Sequence, residues 1–173
     1  MNSFSKETFY KSLLRYVPLL LLLISVLNEF DFNYLENSFF SFNFPYILIF
    51  YWSLKKSESL GYGLIFIAGL INDVVVGLPM GISGLSYLLI CGFAAYLRNI
   101  TLRPSMIKDW IFFLFTIFVV NSFIYIILTL FFSIKIDYEN FITNLIFTFL
   151  FYIIFAYLFH FYQKIFFGAK KND

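Results

Sequence analysis

The sequence has little charge, one cysteine and one histidine. Of its 173 residues only 13% are charged, whereas 61% are hydrophobic. Soluble domains contain about a quarter charged residues, so this composition excludes an ordinary soluble domain. The formal net charge of +2 excludes a nucleic-acid-binding protein that depends on a broad basic surface. Because Cys91 has no second cysteine to pair with and lies in an apolar run, we expect it to be a packing residue.

Charge is absent over long stretches of the chain. Residues 110–134 contain no ionisable Asp, Glu, Lys, Arg or His, and this run exceeds the roughly 20 helical residues that cross a bilayer core. The apolar runs predict an all-α membrane protein of one domain, a six-transmembrane-helix bundle with spans at about 12–28, 39–54, 60–76, 82–97, 110–132 and 141–161. Whether residues 39–42 lie within the membrane or along its surface stays open. The basic residues before the first span resemble a signal sequence, but no small-x-small site follows, so we expect this span to stay uncleaved.

The positive charges predict the orientation of these spans. If there are six, eleven of the twelve Lys and Arg residues share one side of the membrane with both termini, and only Lys135 lies on the other side. The positive-inside rule then places both termini in the cytoplasm. The eleven are Lys6, Lys11, Arg15, Lys55, Lys56, Arg98, Arg103, Lys108, Lys164, Lys170 and Lys171. Aromatic residues make up 24% of the chain, and we interpret them mainly as lipid-facing side chains.

The sequence indicates no catalytic residue, metal site or cofactor. The run from Gly81 to Gly84 is similar to the G-x-S-G motif of rhomboid intramembrane proteases, with Ser83 in the place of the nucleophile. Such a serine needs a base within hydrogen-bonding reach. The only histidine, His160, is expected about 28 Å away along a helix axis, at the opposite membrane face. No Cys/His cluster and no nucleotide-binding loop is present either.

Four residues spaced by four stand out in the third span: Gly69, Asp73, Gly77 and Gly81. The first three share one helix face, where small residues let a neighbouring helix approach closely. The tight turn that follows predicts an antiparallel hairpin with the fourth span. That span offers a matching stripe of small residues, namely Gly84, Cys91, Gly92 and Ala95.

Asp73 is expected inside the membrane, where a carboxylate costs about 2.5 to 3.5 kcal/mol on insertion scales. Three interpretations stay open: a hydrogen-bonded clasp between helices, a contact with a partner's helix, and a proton site. Candidate clasp partners are the amides Asn72, Asn121 and Asn144. On the clasp interpretation, Asp73→Asn keeps the hydrogen-bonding capacity and is expected to be tolerated, whereas Asp73→Leu is not.

The motifs from residue 45 to residue 99 resemble the MreD family of rod shape-determining proteins. The resemblance rests on a proline-led second span ending in Tyr51 and Trp52, on the Gly/Asp/Gly/Gly spacing, and on the run Tyr96-Leu-Arg-Asn99. It covers roughly residues 12–165. The chain departs from the family at Phe149, near which a proline is expected, and at Asn121, where an acid is expected.

The resemblance implies a non-enzymatic scaffold in the bacterial inner membrane. Such a protein maintains rod shape by linking its partner MreC, cytoplasmic MreB filaments and the peptidoglycan synthases. Whether it also forms a homo-oligomer stays open. It also implies a fold similar to the S-components of energy-coupling vitamin transporters, so the alternative is a substrate-binding S-component. Against that alternative, the first span lacks the Ala-x-x-x-Ala face with which S-components dock.

Arg98, Arg103 and Lys108 form the predicted cytoplasmic basic loop. We expect it either to contact a filament or anionic lipid, or only to fix the topology. The candidate site residues are therefore these three cations together with the intramembrane set Gly69, Asn72, Asp73, Gly77 and Gly81.

Overall fold

The structure is a computed structural model that describes residues 16–27, 42–55, 60–101, 105–133 and 138–167, with side chains up to Lys164 in the last range. Within these ranges every regular element is a helix. The six helices are α1 (Val17–Leu27), α2 (Phe44–Lys55), α3 (Tyr62–Val76), α4 (Ile82–Ile100), α5 (Met106–Phe132) and α6 (Tyr138–Phe167). The prediction of an all-α protein is confirmed for the described part of the chain.

Helices α3 and α5 end where their predicted spans end, at Val76 and Phe132, but other bounds differ. Helix α5 begins four residues before its span, and α6 extends beyond its span at both ends, because charged residues end a membrane span without ending a helix. Met106–Phe132 and Tyr138–Lys164 are long and apolar enough to cross a membrane by themselves, whereas α1 and α3 are shorter apolar helices. The beginnings of the first two spans lie outside the described residues. The count of six spans stays a prediction.

Helix α2 lies at the centre of the bundle. Its sequence is apolar on all sides, which is typical of a helix without a solvent face, and every residue from Pro45 to Leu54 is buried. It packs against α1, α4 and α6. Asn43 caps its first turn, since Asn43 Oδ1 accepts a hydrogen bond from the Tyr46 N–H at 3.2 Å. Pro45 lies in this turn, where its missing N–H costs nothing.

Many aromatic residues pack between helices and do not face lipid. Phe42 stacks on Phe151 of α6 with ring centroids 4.6 Å apart, and Phe113 of α5 stacks on Tyr152 at 4.4 Å. The lipid-facing interpretation therefore covers only part of the aromatic content. Ring contacts join α2 to α6 over nearly the full length of α2, through Phe44, Phe50, Tyr51, Trp52, Phe155, Phe159 and Tyr162.

The contacts of α2 define the directions of its neighbours. Tyr46 meets Tyr87 and Ser53 meets Arg98, so α2 and α4 run parallel. Asn43 meets Thr148 and Tyr51 meets Gln163, so α2 and α6 also run parallel. The last residue of α2 meets the first turn of α5, which runs the opposite way. As a result the four described cations lie at one end of the bundle: Lys55, Arg98, Lys108 and Lys164.

Helices α3 and α4 form the predicted antiparallel hairpin, and their backbones meet at Gly69 and Gly84. A Cβ added to Gly69 would lie 2.4 Å from Gly84 Cα, a separation that real Cβ atoms do not show. Gly92 and Cys91 of the predicted small-residue stripe do not take part in this close approach. Gly92 is exposed with no atom near its would-be Cβ, and Cys91 Sγ lies 3.1 Å from Ser53 Oγ of α2.

We expect Gly69→Ala to destabilise the protein, because the added methyl group forces α3 and α4 apart along their contact. Overpacking of this kind costs about 1 to 3 kcal/mol. The matched control is Gly92→Ala, which adds the same methyl group where nothing lies within 4 Å and should be neutral or slightly stabilising. Thermal unfolding of the purified variants in detergent would measure both. Equal melting temperatures for the two variants would contradict the close contact.

Candidate functional site

The side chain of Asp73 is fully buried and lies over the beginning of α4. Its Oδ2 accepts a hydrogen bond from the Gly81 N–H at 2.7 Å, and its Oδ1 accepts one from the Ser83 N–H at 2.8 Å. Its exposed fraction is 0%. Gly81 is the N-cap residue of α4 and has no side chain with which to cap the helix. Asp73 of α3 therefore provides the cap for α4 from the preceding helix.

The turn between the two helices is built on the same residue. The backbone oxygen of Asp73 accepts the N–H groups of Gly77 and Leu78, the latter at 2.9 Å, and this ends α3. Gly77 has φ +75° and Gly81 has φ +99°, values that an L side chain rarely adopts. The prediction that Gly77 shares the packing face of α3 is wrong, because the helix ends at Val76 and Gly77 lies in the turn.

The carboxylate does not bond to the amide side chains that the sequence suggested. Asn72 Nδ2 instead donates to Ser83 Oγ at 2.9 Å, and this adds a second link between α3 and the first turn of α4. The two hydrogen bonds described for Asp73 go to backbone amides, not to Asn72, Asn121 or Asn144. The geometry is that of a clasp within the chain. A buried carboxylate engaged in this way offers no surface to a partner's helix.

The N-terminus of α4 is a favourable place for this negative charge. The first N–H groups of a helix have no partner within the helix, and its dipole concentrates partial positive charge there. Hydrogen bonds from backbone N–H groups to a carboxylate are charge-assisted and stronger than neutral ones. The clasp therefore satisfies two amides and a buried charge together. We refer to Asp73, Asn72 and the amides of Gly81 and Ser83 as the hairpin clasp.

At the opposite end of the bundle, polar contacts join three helices. Lys55 Nζ lies 2.7 Å from Asp109 Oδ2, and Asp109 is only 3% exposed. This ion pair links the end of α2 to the first turn of α5. Arg98 Nη1 of α4 donates to the backbone oxygen of Ser53 at 3.2 Å, which satisfies one of the last carbonyl groups of α2. Two of the four described cations thus hold the bundle together.

The predicted basic loop is only partly described by the structure. Both Arg98 and Lys108 are exposed. Arg98 also donates to the backbone oxygen of Ser53, and Lys108 directly precedes the buried Asp109 in the chain. Arg103 lies outside the described residues. Ser83 and His160, the two residues of the protease-like motif, have separate surroundings. Ser83 is buried beside Asn72, and His160 is exposed on α6.

Several polar contacts were not predicted from the sequence. Besides the Lys55–Asp109 pair, the Asn43 N–H donates to Thr148 Oγ1 at 2.9 Å, and Thr148 Oγ1 donates to Asn144 Oδ1 at 3.3 Å. The Asn43–Thr148 bond attaches the beginning of α2 to α6, and the Thr148–Asn144 bond lies within α6. An available signal was Asn43 itself, because asparagine followed by an aromatic residue and Pro45 is typical of a capped helix start.

The family model for "rod shape-determining protein MreD" matches residues 10–168 of the chain. This match covers nearly the whole sequence, and the chain belongs to the MreD family. No curated protein and no solved structure matches the chain.

We expect Asp73→Asn to destabilise the protein, which reverses the expectation from sequence alone. Both carboxylate oxygens accept N–H groups, so asparagine would keep one acceptor and direct its NH₂ group at the other amide. An unsatisfied buried donor costs about 1 to 3 kcal/mol. Asp73→Leu should cost more because it removes both acceptors. Thermal unfolding in detergent would rank the variants, with Ser83→Ala as a comparison that keeps both amides and the carboxylate and loses only the hydrogen bond from Asn72. Wild-type stability of Asp73→Asn would contradict the described geometry.

We expect Lys55→Met to destabilise the protein, because it leaves Asp109 buried without its cation. The Lys55 side chain is 23% exposed, so water screens part of the charge and the cost should be about 2 kcal/mol. Adding Asp109→Leu should recover most of this loss, because no charge then remains buried. Lys108→Met, which neutralises an exposed neighbouring cation, is the control and should be near neutral. Chemical or thermal unfolding would check all four proteins, and a double variant no better than Lys55→Met would argue against the pair.

Proposed function

We propose that this protein is a non-enzymatic scaffold of the bacterial cell-elongation machinery in the inner membrane. In this role it maintains rod shape by linking MreC, MreB filaments and the peptidoglycan synthases. The observation that carries the proposal is the match to the MreD family over residues 10–168, since membership indicates a role in rod shape determination.

Helix directions and charge support a six-span arrangement with both termini in the cytoplasm. Helices α2, α4 and α6 run the same way, as alternate spans of a bundle with short connections must. The four described cations gather at one end, and the positive-inside rule assigns that end to the cytoplasm. The turn from Gly77 to Gly81 then faces the outside. Helices α5 and α6 carry exposed apolar side chains along most of their length, as lipid-facing spans do.

The surroundings of the polar residues support a scaffold and not an enzyme. The buried polar groups described above bond to one another or to backbone, and they serve to join helices. The exposed cations Lys108 and Arg98 offer a contact for an acidic filament surface or for anionic lipid. A partner's helix would pack against the exposed apolar faces of the bundle and would not reach Asp73.

We expect that purification of the protein from native membranes in mild detergent recovers MreC. Depletion of the protein should convert rods into rounded cells, and Ser83→Ala and His160→Ala should both restore the rod shape, since neither residue has a catalytic role in the proposal. Mass spectrometry of the purified complex and microscopy of the complemented cells are the measurements. Recovery of an energy-coupling transporter module in place of MreC would overturn the proposal in favour of an S-component.

A further inference from the structure

We propose that α3 and α4 enter the membrane as one coupled hairpin, because the amides at the beginning of α4 compensate the buried charge of α3. The proposal rests on the six-span arrangement, in which both helices cross the membrane and their turn faces outside. It concerns how the chain reaches that arrangement and goes beyond its role in cell shape.

Helix α3 is poorly suited to enter a membrane alone. It has 15 residues, fewer than the roughly 20 that span the bilayer core, and its last half carries the adjacent polar residues Asn72 and Asp73. Aspartate is among the side chains that insertion scales penalise most strongly. A separate α3 would have to carry this carboxylate into the membrane without the donors that surround it in the folded protein.

Helix α4 supplies those donors, and its own first amides gain acceptors in the same contact. The Gly81 and Ser83 N–H groups lie 2.7 and 2.8 Å from the two carboxylate oxygens, and Asn72 reaches the Ser83 hydroxyl. The N-cap residue of α4 provides no side-chain hydrogen bond of its own. Each helix therefore carries polar groups that the other satisfies, and both sets of groups are satisfied only when the hairpin forms.

The geometry of the turn makes this exchange sensitive to spacing. Gly77 and Gly81 adopt left-handed conformations that reverse the chain within five residues, and the Gly69–Gly84 contact holds the two helices in register. If residues are added after Met80, the amides of α4 shift away from the carboxylate. The added residues should hinder membrane insertion of the hairpin only if position 73 carries the carboxylate.

The test is a cycle of four full-length proteins in a Cys91→Ser background, each with Met80→Cys as a label site. Met80 is 70% exposed in the turn. The four are the otherwise wild-type chain, the chain with Gly-Ser inserted after position 80, the Asp73→Leu chain, and the chain with both changes. A membrane-impermeant thiol reagent is added to intact cells, or to spheroplasts where an outer membrane is present, and labelling is normalised to labelling after detergent.

We expect the added Gly-Ser to lower the externally labelled fraction about threefold or more when Asp73 is present, because an aspartate without its donors opposes entry of the helix into the membrane. With Asp73→Leu the same insertion should leave labelling near that of the wild type. The proposal would be overturned if the added Gly-Ser lowers labelling equally with Asp73 and with Asp73→Leu. It would also be overturned if labelling does not fall when Asp73 is present. If the wild-type turn is not labelled from outside, the six-span arrangement fails, and MreC recovery from native membranes then decides the scaffold role separately.

Discussion

A carboxylate in an apolar interior must have hydrogen-bond donors, and in this protein that requirement organises the α3–α4 hairpin. Asp73 obtains its donors from the first amides of the next helix, so α4 must begin at a fixed place relative to α3. The turn that brings those amides back to the carboxylate contains two left-handed residues, which accounts for the glycines at 77 and 81. The helices must then pack at backbone distance, which explains Gly69. Gly69, Gly77 and Gly81 thus lie in the same hairpin that buries Asp73, at positions where a close approach or a left-handed backbone favours glycine.

The same principle operates at the basic end of the bundle with the charges reversed. There Arg98 of α4 donates to a carbonyl group at the end of α2, as Asp73 of α3 accepts amides at the start of α4. In each case one helix supplies the polar group that another helix end lacks. The Lys55–Asp109 pair extends this chain of contacts from α2 to α5. These helix ends are thereby satisfied by groups of neighbouring helices.

The sequence predicted which two neighbouring helices pack together, but not the hydrogen bonds between them. The α3–α4 hairpin and its glycine turn followed from the spacing of Gly69, Asp73, Gly77 and Gly81. The donors of Asp73 were not predicted, because every residue has an amide and only the turn geometry selects those of Gly81 and Ser83. Contacts between distant segments, such as Asn43 with Thr148 across 105 residues, depend on which helices become neighbours. Hydropathy reports how apolar a helix is and does not report its neighbours. The aromatic contacts between helices were not predicted for the same reason.

The distribution of polar groups limits where a partner can bind. Asp73, Ser83, Asp109 and Thr148 are buried and occupied in contacts within the chain, so they set the shape of the bundle and do not form its interaction surface. Among the described residues, the exposed surface includes apolar helix faces and a basic end. In the proposed scaffold role, such a surface would bind a membrane-embedded partner through shape and apolar packing, and an acidic or lipid surface through exposed cations. A substitution in the hairpin clasp should therefore affect partners only through the geometry of α3 and α4. In the proposed scaffold role, Asp73 therefore acts through the geometry of the hairpin and not by direct contact with a partner.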